Sequence, residues 1–347
     1  MKKIEQRELN ILRQIILFNL NASNEKVLIL GDKGAKGYGA SKLLCDGYEK
    51  VCKELKLNVT KIIQEPRLKS HSADKKVIEA LAKLPKNSIV INQSSFRLGH
   101  LSGLSATFRE LMYEKEHKFI SAVTLGTLKD IDLPVLFDAL DIDYVQIGKA
   151  TDKLSDLLTN TQKVRVTSPK GTDIEFSIKG RKGISSIGVY REFGQGGNLP
   201  GAESYIAPVE GSANGVIVID ASSKQDKTIK VKVPMKLEIT NGIITGIYGG
   251  PSARSFLDFL KRKSKDLSDP LDCLRLCEFG IGTNPNSKIV GATIIDEKVL
   301  GTAHFAFGSN KWFGGKINTK VHVDQVFYEP TIYLDGKKID VCKIINH

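Results

Sequence analysis

Apolar positions in the first half of the chain alternate between two spacings. Leu9, Leu12, Ile15, Ile16 and Leu20 recur near helical spacing. Val27-Leu28-Ile29-Leu30 is an unbroken apolar run, which predicts a strand buried on both faces. A glycine-rich turn over residues 31–39 follows, and Leu43, Leu44, Tyr48, Val51 and Leu55 then mark a helix. Residues 57–63, 89–91 and 119–125 read as further strands, with helices over 77–84 and 108–113 between them. Strands alternating with helices predict an α/β domain with a parallel sheet and crossover helices. Two more helical stretches lie around 135–140 and 154–158.

After about residue 163 the texture changes. Residues 171–178 alternate like a strand, and 216–219, 229–233, 237–239 and 243–248 are short strands separated by turn residues. One helix, around 255–263, interrupts them. The expectation is an N-terminal α/β, Rossmann-like domain over 1–162 and a β-rich α+β domain over 163–347 that carries the chemistry. The glycine turn fits neither G-x-x-x-x-G-K-[ST] nor G-x-G-x-x-G, so a plain tight turn is expected there rather than a phosphate site.

Composition narrows the classes. At 347 residues and 41% hydrophobic, the chain is long enough for two cores. No apolar run reaches membrane-spanning length. No signal core follows the basic start Met1-Lys2-Lys3, so a cytoplasmic protein is expected. Five cysteines, an odd number in a long chain, predict buried thiols rather than disulfides. The net charge of +12 is spread along the chain without a nucleic-acid module, which predicts a solvated basic surface. The expected partner is a peptide or small-molecule substrate, with neither nucleic acid nor membrane.

Candidate chemistry lies in the second half. His71, His100, His117 and His347 have no nearby carboxylate pattern and read as solvated or structural. His322 and Asp324 differ, because on a strand they share one face while Val321 and Val323 take the other. An imidazole and a carboxylate so placed can aim at one ion. His304 faces away from the aromatics Phe305 and Phe307. Glu278 lies inside an apolar run, where an ionised carboxylate needs a partner, either Arg275 or a metal. Glu203 ends a loop, and Glu210 follows it seven residues later. Oxygen and nitrogen donors of this kind suit zinc, cobalt or manganese.

The stretches Asn198-Leu199-Pro200-Gly201-Ala202-Glu203, Glu278-Phe279-Gly280-Ile281-Gly282-Thr283-Asn284-Pro285, Gly301-Thr302-Ala303-His304 and His322-Val323-Asp324 resemble the aminopeptidase T family of metallopeptidases, in that family's order. By that resemblance Glu203, Glu278, His304, His322 and Asp324 are metal ligands, and the implied enzyme is a homodimeric hydrolase. It would be a metallo-aminopeptidase, a protease that removes N-terminal residues with water bridged by two divalent ions (Zn, Co or Mn). Glu278 is the expected metal bridge, and Glu210 the expected proton-transfer group. The chain departs from that family by lacking a tyrosine in Gly308-Ser309-Asn310-Lys311-Trp312-Phe313. The alternative resemblance is to ring-cleaving dihydroxypyridine dioxygenases, in which one Fe(II) would sit on His304, His322 and Asp324. A non-catalytic metal-binding or interaction protein is the third reading.

Overall fold

A computed structural model describes residues 4–68, 71–105 and 107–345. His347 and the basic start of the chain lie outside the described residues. The chain forms two compact units, one of Met1–Asp141 with Gly188–Gly201, the other of Ile142–Ile187 with Ala202–His347.

The first unit has the expected α/β plan. Its sheet runs Val59–Gln64, Val27–Asp32, Ile89–Gln93, Lys118–Ala122 and Gly196–Asn198, every neighbouring pair parallel. Val27–Asp32 is buried along its whole length, as its unbroken apolar run requires. The helix Ala40–Glu54 turns Leu44, Cys45, Tyr48, Val51 and Cys52 inward. It packs so closely on the sheet that a Cβ at Gly31 would stand 2.3 Å from Cys45 Sγ and 2.8 Å from the Gln93 carbonyl. The glycine turn is occupied by its own side chain. Asp32 Oδ1 accepts from Gly34 N at 2.9 Å, and Oδ2 accepts from Ser95 N at 2.7 Å. A buried carboxylate there repels phosphate, so the loop is a tight turn.

The second unit is β-rich. One seven-stranded sheet runs Ile243–Gly249, Met235–Thr240, Asn214–Ile219, Asp173–Ser177, Lys163–Thr167, Thr331–Leu334 and Lys337–Ile339. The other runs Thr228–Lys230, Ser222–Lys224, His322–Tyr328, Thr302–Gly308, Leu276–Gly282, Glu203–Ile206 and Ile184–Ser186. All pairings in both sheets are antiparallel. Phe176 of the first of these sheets meets Phe279 and Phe305 of the second at ring centroids of 5.3 and 5.8 Å, and Phe305 stacks on Phe327. Such pairs each add about 0.5–1.5 kcal/mol to the area they bury. Phe279, Phe305 and Phe327 fix which face of the second sheet is core and leave the opposite face for chemistry.

Four cysteines are buried, Cys342 is exposed, and all five are free. No helix among the described residues is long and apolar enough to cross a membrane.

Candidate metal centre

Strand register assembles the site. Across three antiparallel strands, Glu278 lies opposite Ala306 and Ala306 opposite Asp324. One step along, Gly280 is opposite His304, and at the other end Gly308 is opposite His322. Glu203 pairs with Gly282 on the next strand. Side chains two residues apart share a face, so these five acidic and imidazole groups point away from the phenylalanine core. Ala306 adds only a methyl group between the two carboxylates. Gly280 adds nothing, and a Cβ there would sit 2.1 Å from His304 Nε2.

The distances are those of a converging donor set. His304 Nε2 is 3.2 Å from Glu278 Oε1 and 3.8 Å from Glu203 Oε2. His322 Nε2 is 3.4 Å from Glu278 Oε2 and 3.3 Å from Asp324 Oδ1. One ligand atom each from Glu278, His322 and Asp324 fall within 4.8 Å of one another, close enough to share a cation. His322 Nδ1 lies 2.8 Å from the Ser309 carbonyl. A carbonyl only accepts, so Nδ1 carries a proton and Nε2 is the nitrogen that faces the carboxylates, donating to them while the ring is charged and free to ligate an ion once that proton leaves. Metal-binding histidines are oriented in this way.

Electrostatics agree with the geometry. Burial works against the His304 imidazolium, but its bond to Glu278 and the charges of Glu203 and Glu297 hold its pKa up, at about 9. Burial would raise Asp324, yet His322, His304 and Lys298 hold its carboxyl well below the usual range. Burial likewise opposes charge on His322, and Cys277 and Asp324 outweigh it. The Cys277 thiol, 3.6 Å from His322 Nδ1, is pushed up to about 11 by burial and is a packing group.

One member of the cluster was not expected. Lys298 is fully buried, contacts Glu203 Oε1 and donates to Glu297 Oε1 at 2.6 Å. Burial pushes the Glu297 carboxyl up to about 8 even beside this lysine. In the sequence, Asp296-Glu297-Lys298 reads as a solvated charge run and gives no warning. Glu203 Oε2 and His304 Nδ1 remain buried without a hydrogen-bond partner among the described residues, which is costly unless something binds there. Ala202, at φ +77°, turns the chain into Glu203. A residue with a Cβ pays roughly 1–2 kcal/mol for that conformation.

Two sequence expectations go elsewhere. Arg275 pairs with Asp269 and Asp272, both at 3.2 Å, rather than with Glu278. Glu210 accepts from Lys316 N at 2.7 Å and Asn310 Nδ2 at 3.2 Å and contacts Arg181, so its described bonds clamp a loop. These donors hold its carboxyl below the ordinary range against the effect of burial.

Two imidazoles and three carboxylates gathered on one sheet face are the donor set of a metal-dependent protein. The family described as 2,5-dihydroxypyridine 5,6-dioxygenase, NicX, matches residues 55–345, and the chain belongs to that family. A curated relative of that name from Pseudomonas putida KT2440 is 26% identical over 200 residues, covering 53% of this chain and 54% of the relative. The chain thus spans about half the length of the curated relative it matches. The solved 2,5-dihydroxypyridine dioxygenase of Pseudomonas putida KT2440 superposes with a TM-score of 0.72 at 18% identity, over 96% of this chain and 94% of that one. AmpT from Thermus thermophilus superposes with a TM-score of 0.67 at 15% identity, over 96% and 97%.

These findings overturn the aminopeptidase reading. The chain belongs to a dioxygenase family, and the hydrolase and protease expectations fall with it. The physical reason is that AmpT and the dioxygenase both share this fold. Strand motifs that place carboxylates and imidazoles on one face therefore do not separate their chemistries. Membership of a dioxygenase family does imply a metal cofactor, and the convergent donors fit one.

Proposed function

We propose that this protein is a mononuclear iron(II) dioxygenase that opens a dihydroxylated, pyridine-type ring, with the ion held by Glu278, His322 and Asp324. The observation that carries the reading is the His322 ring. With Nδ1 committed to Ser309, its Nε2 is aimed at carboxylate oxygens of Asp324 and Glu278 at 3.3 and 3.4 Å. A divalent cation taking the place of the Nε2 proton would be held by the same three groups. His304 lies on the other oxygen of Glu278 and braces that ligand, while imidazole is a donor that iron accepts and the family supplies the choice of iron. The substrate class rests on the names of the family and the curated relative.

Iron(II) bound there supplies electron exchange between dioxygen and an electron-rich ring. The chain's own residues do the rest. His304 orients Glu278 through its 3.2 Å contact. Lys298 supplies positive charge at Glu203, so one ion, rather than two, completes the charge balance. Both oxygen atoms of O2 enter the ring carbons, and the bond between those carbons breaks.

The test is to load purified, metal-free protein with iron(II) under argon and admit oxygen with 2,5-dihydroxypyridine. The expected result is one O2 consumed per ring opened, seen as loss of the ring's ultraviolet absorbance. Oxygen uptake no greater than that of metal-free protein overturns the reading.

A further inference from the structure

Trp312 is the chain's single tryptophan, and it is 57% exposed. Its ring lies 4.9 Å from the His322 ring, centroid to centroid, tilted by 60°. Phe313 packs edge-on against it at 5.0 Å, and Tyr205 backs Phe313 at 5.4 Å. The loop beneath is pinned. Asn310 N and Lys311 N both donate to the Ile317 carbonyl, at 3.0 and 3.1 Å. The Asn310 side chain donates to the Cys277 carbonyl at 3.3 Å and accepts from Ile317 N at 2.9 Å. Glu210 holds Lys316 N and Asn310 from one side, and Arg181 joins Glu210 to the Gly314 carbonyl. An indole is thus held on a fixed loop, against a proposed metal ligand, with much of its surface facing water. Exposed apolar surface gains nothing for the folded chain alone, whereas a preorganised aromatic face favours a flat ligand.

We propose that Trp312 is a positioning residue, the platform on which the substrate's hydroxylated aromatic ring lies beside His322. This rests on the function proposed above. Glu210 and Arg181 serve it at one remove, by fixing the loop.

Because the chain has one tryptophan, the platform reports on itself. Iron(II)-loaded protein titrated under argon with 2,5-dihydroxypyridine should show saturable quenching of the indole emission. In Trp312→Ala, KM should rise roughly tenfold, near the upper range of one aromatic pair, while kcat and iron content stay close to wild type. Trp312→Phe should recover most of the affinity, which a merely structural role would not predict for an exposed side chain. Unchanged KM in Trp312→Ala, or absent quenching while the wild-type protein still takes up oxygen, overturns this inference and leaves the dioxygenase reading standing. Absence of oxygen uptake in the wild-type protein overturns the dioxygenase reading, and this inference with it.

Discussion

In the first unit, the buried Asp32 carboxylate is surrounded by donors that belong to the fold, Gly34 N, Ser95 N and Ser95 Oγ. In the second unit, Glu203, Glu278 and Asp324 face histidines and a lysine, and Glu203 Oε2 finds no hydrogen-bond partner among the described residues. The histidines divide in the same way. His117 of the first unit is buried, accepts from Ser88 N and is pushed down to about 4, chiefly by burial. His304 of the second is held up at about 9 by acidic neighbours. A buried charge enclosed by backbone donors is part of the scaffold. Buried charges left facing one another mark the place where something else binds.

Five substitutions, in four tests, sharpen or break this contrast. The largest effect is expected at His322 or Asp324. Replacing either by Ala should abolish iron retention and lower kcat/KM by on the order of a thousandfold or more, since the ion's whole contribution is lost. Metal analysis beside oxygen uptake checks this, and full iron content in either variant breaks the contrast. Next comes Lys298→Met, which leaves Glu203 and Glu297 buried beside an uncharged chain. Removing one partner of a buried pair typically costs about 3–5 kcal/mol, to be read from urea unfolding of the metal-free protein.

The third concerns pH. The His117 pKa is lower in the folded state than in the unfolded chain, so the unfolded chain binds the proton more tightly. The stability from keeping the ring neutral is complete above about pH 6.5 and is lost as pH falls toward 4. Wild type should therefore lose about 2–3 kcal/mol more than His117→Gln between pH 7 and 4, and parallel losses in the two proteins would contradict the assignment. The smallest effect is expected at Ser95→Ala. This removes one of three donors to Asp32 and should cost about 1–2 kcal/mol, with no change in iron content.

Much of this was legible in the sequence. The unbroken run at 27–30 and the alternation after 163 set the two sheet types, because apolar period is what a strand's surroundings impose. Parity alone put His322 and Asp324 on one face, and Glu278 was marked by the cost of its apolar neighbours. Other features were hidden. The strand Gly196–Asn198 carries no apolar signal and joins its sheet only through long-range pairing. Lys298 is buried inside what looks like a surface charge run, since only tertiary structure shows which charges lose water. The reaction class was hidden for a different reason. AmpT and the dioxygenase share the fold, and donor residues alone do not say which ion or substrate they meet.

The most direct test of the central claim is a count of ions. Metal-free protein should be titrated anaerobically with iron(II), the heat of binding followed, and the bound metal assayed after desalting. One iron per chain in wild type and none retained in His322→Ala is the predicted result. Two ions per chain, or one ion kept without His322, would contradict a single centre built on Glu278, His322 and Asp324.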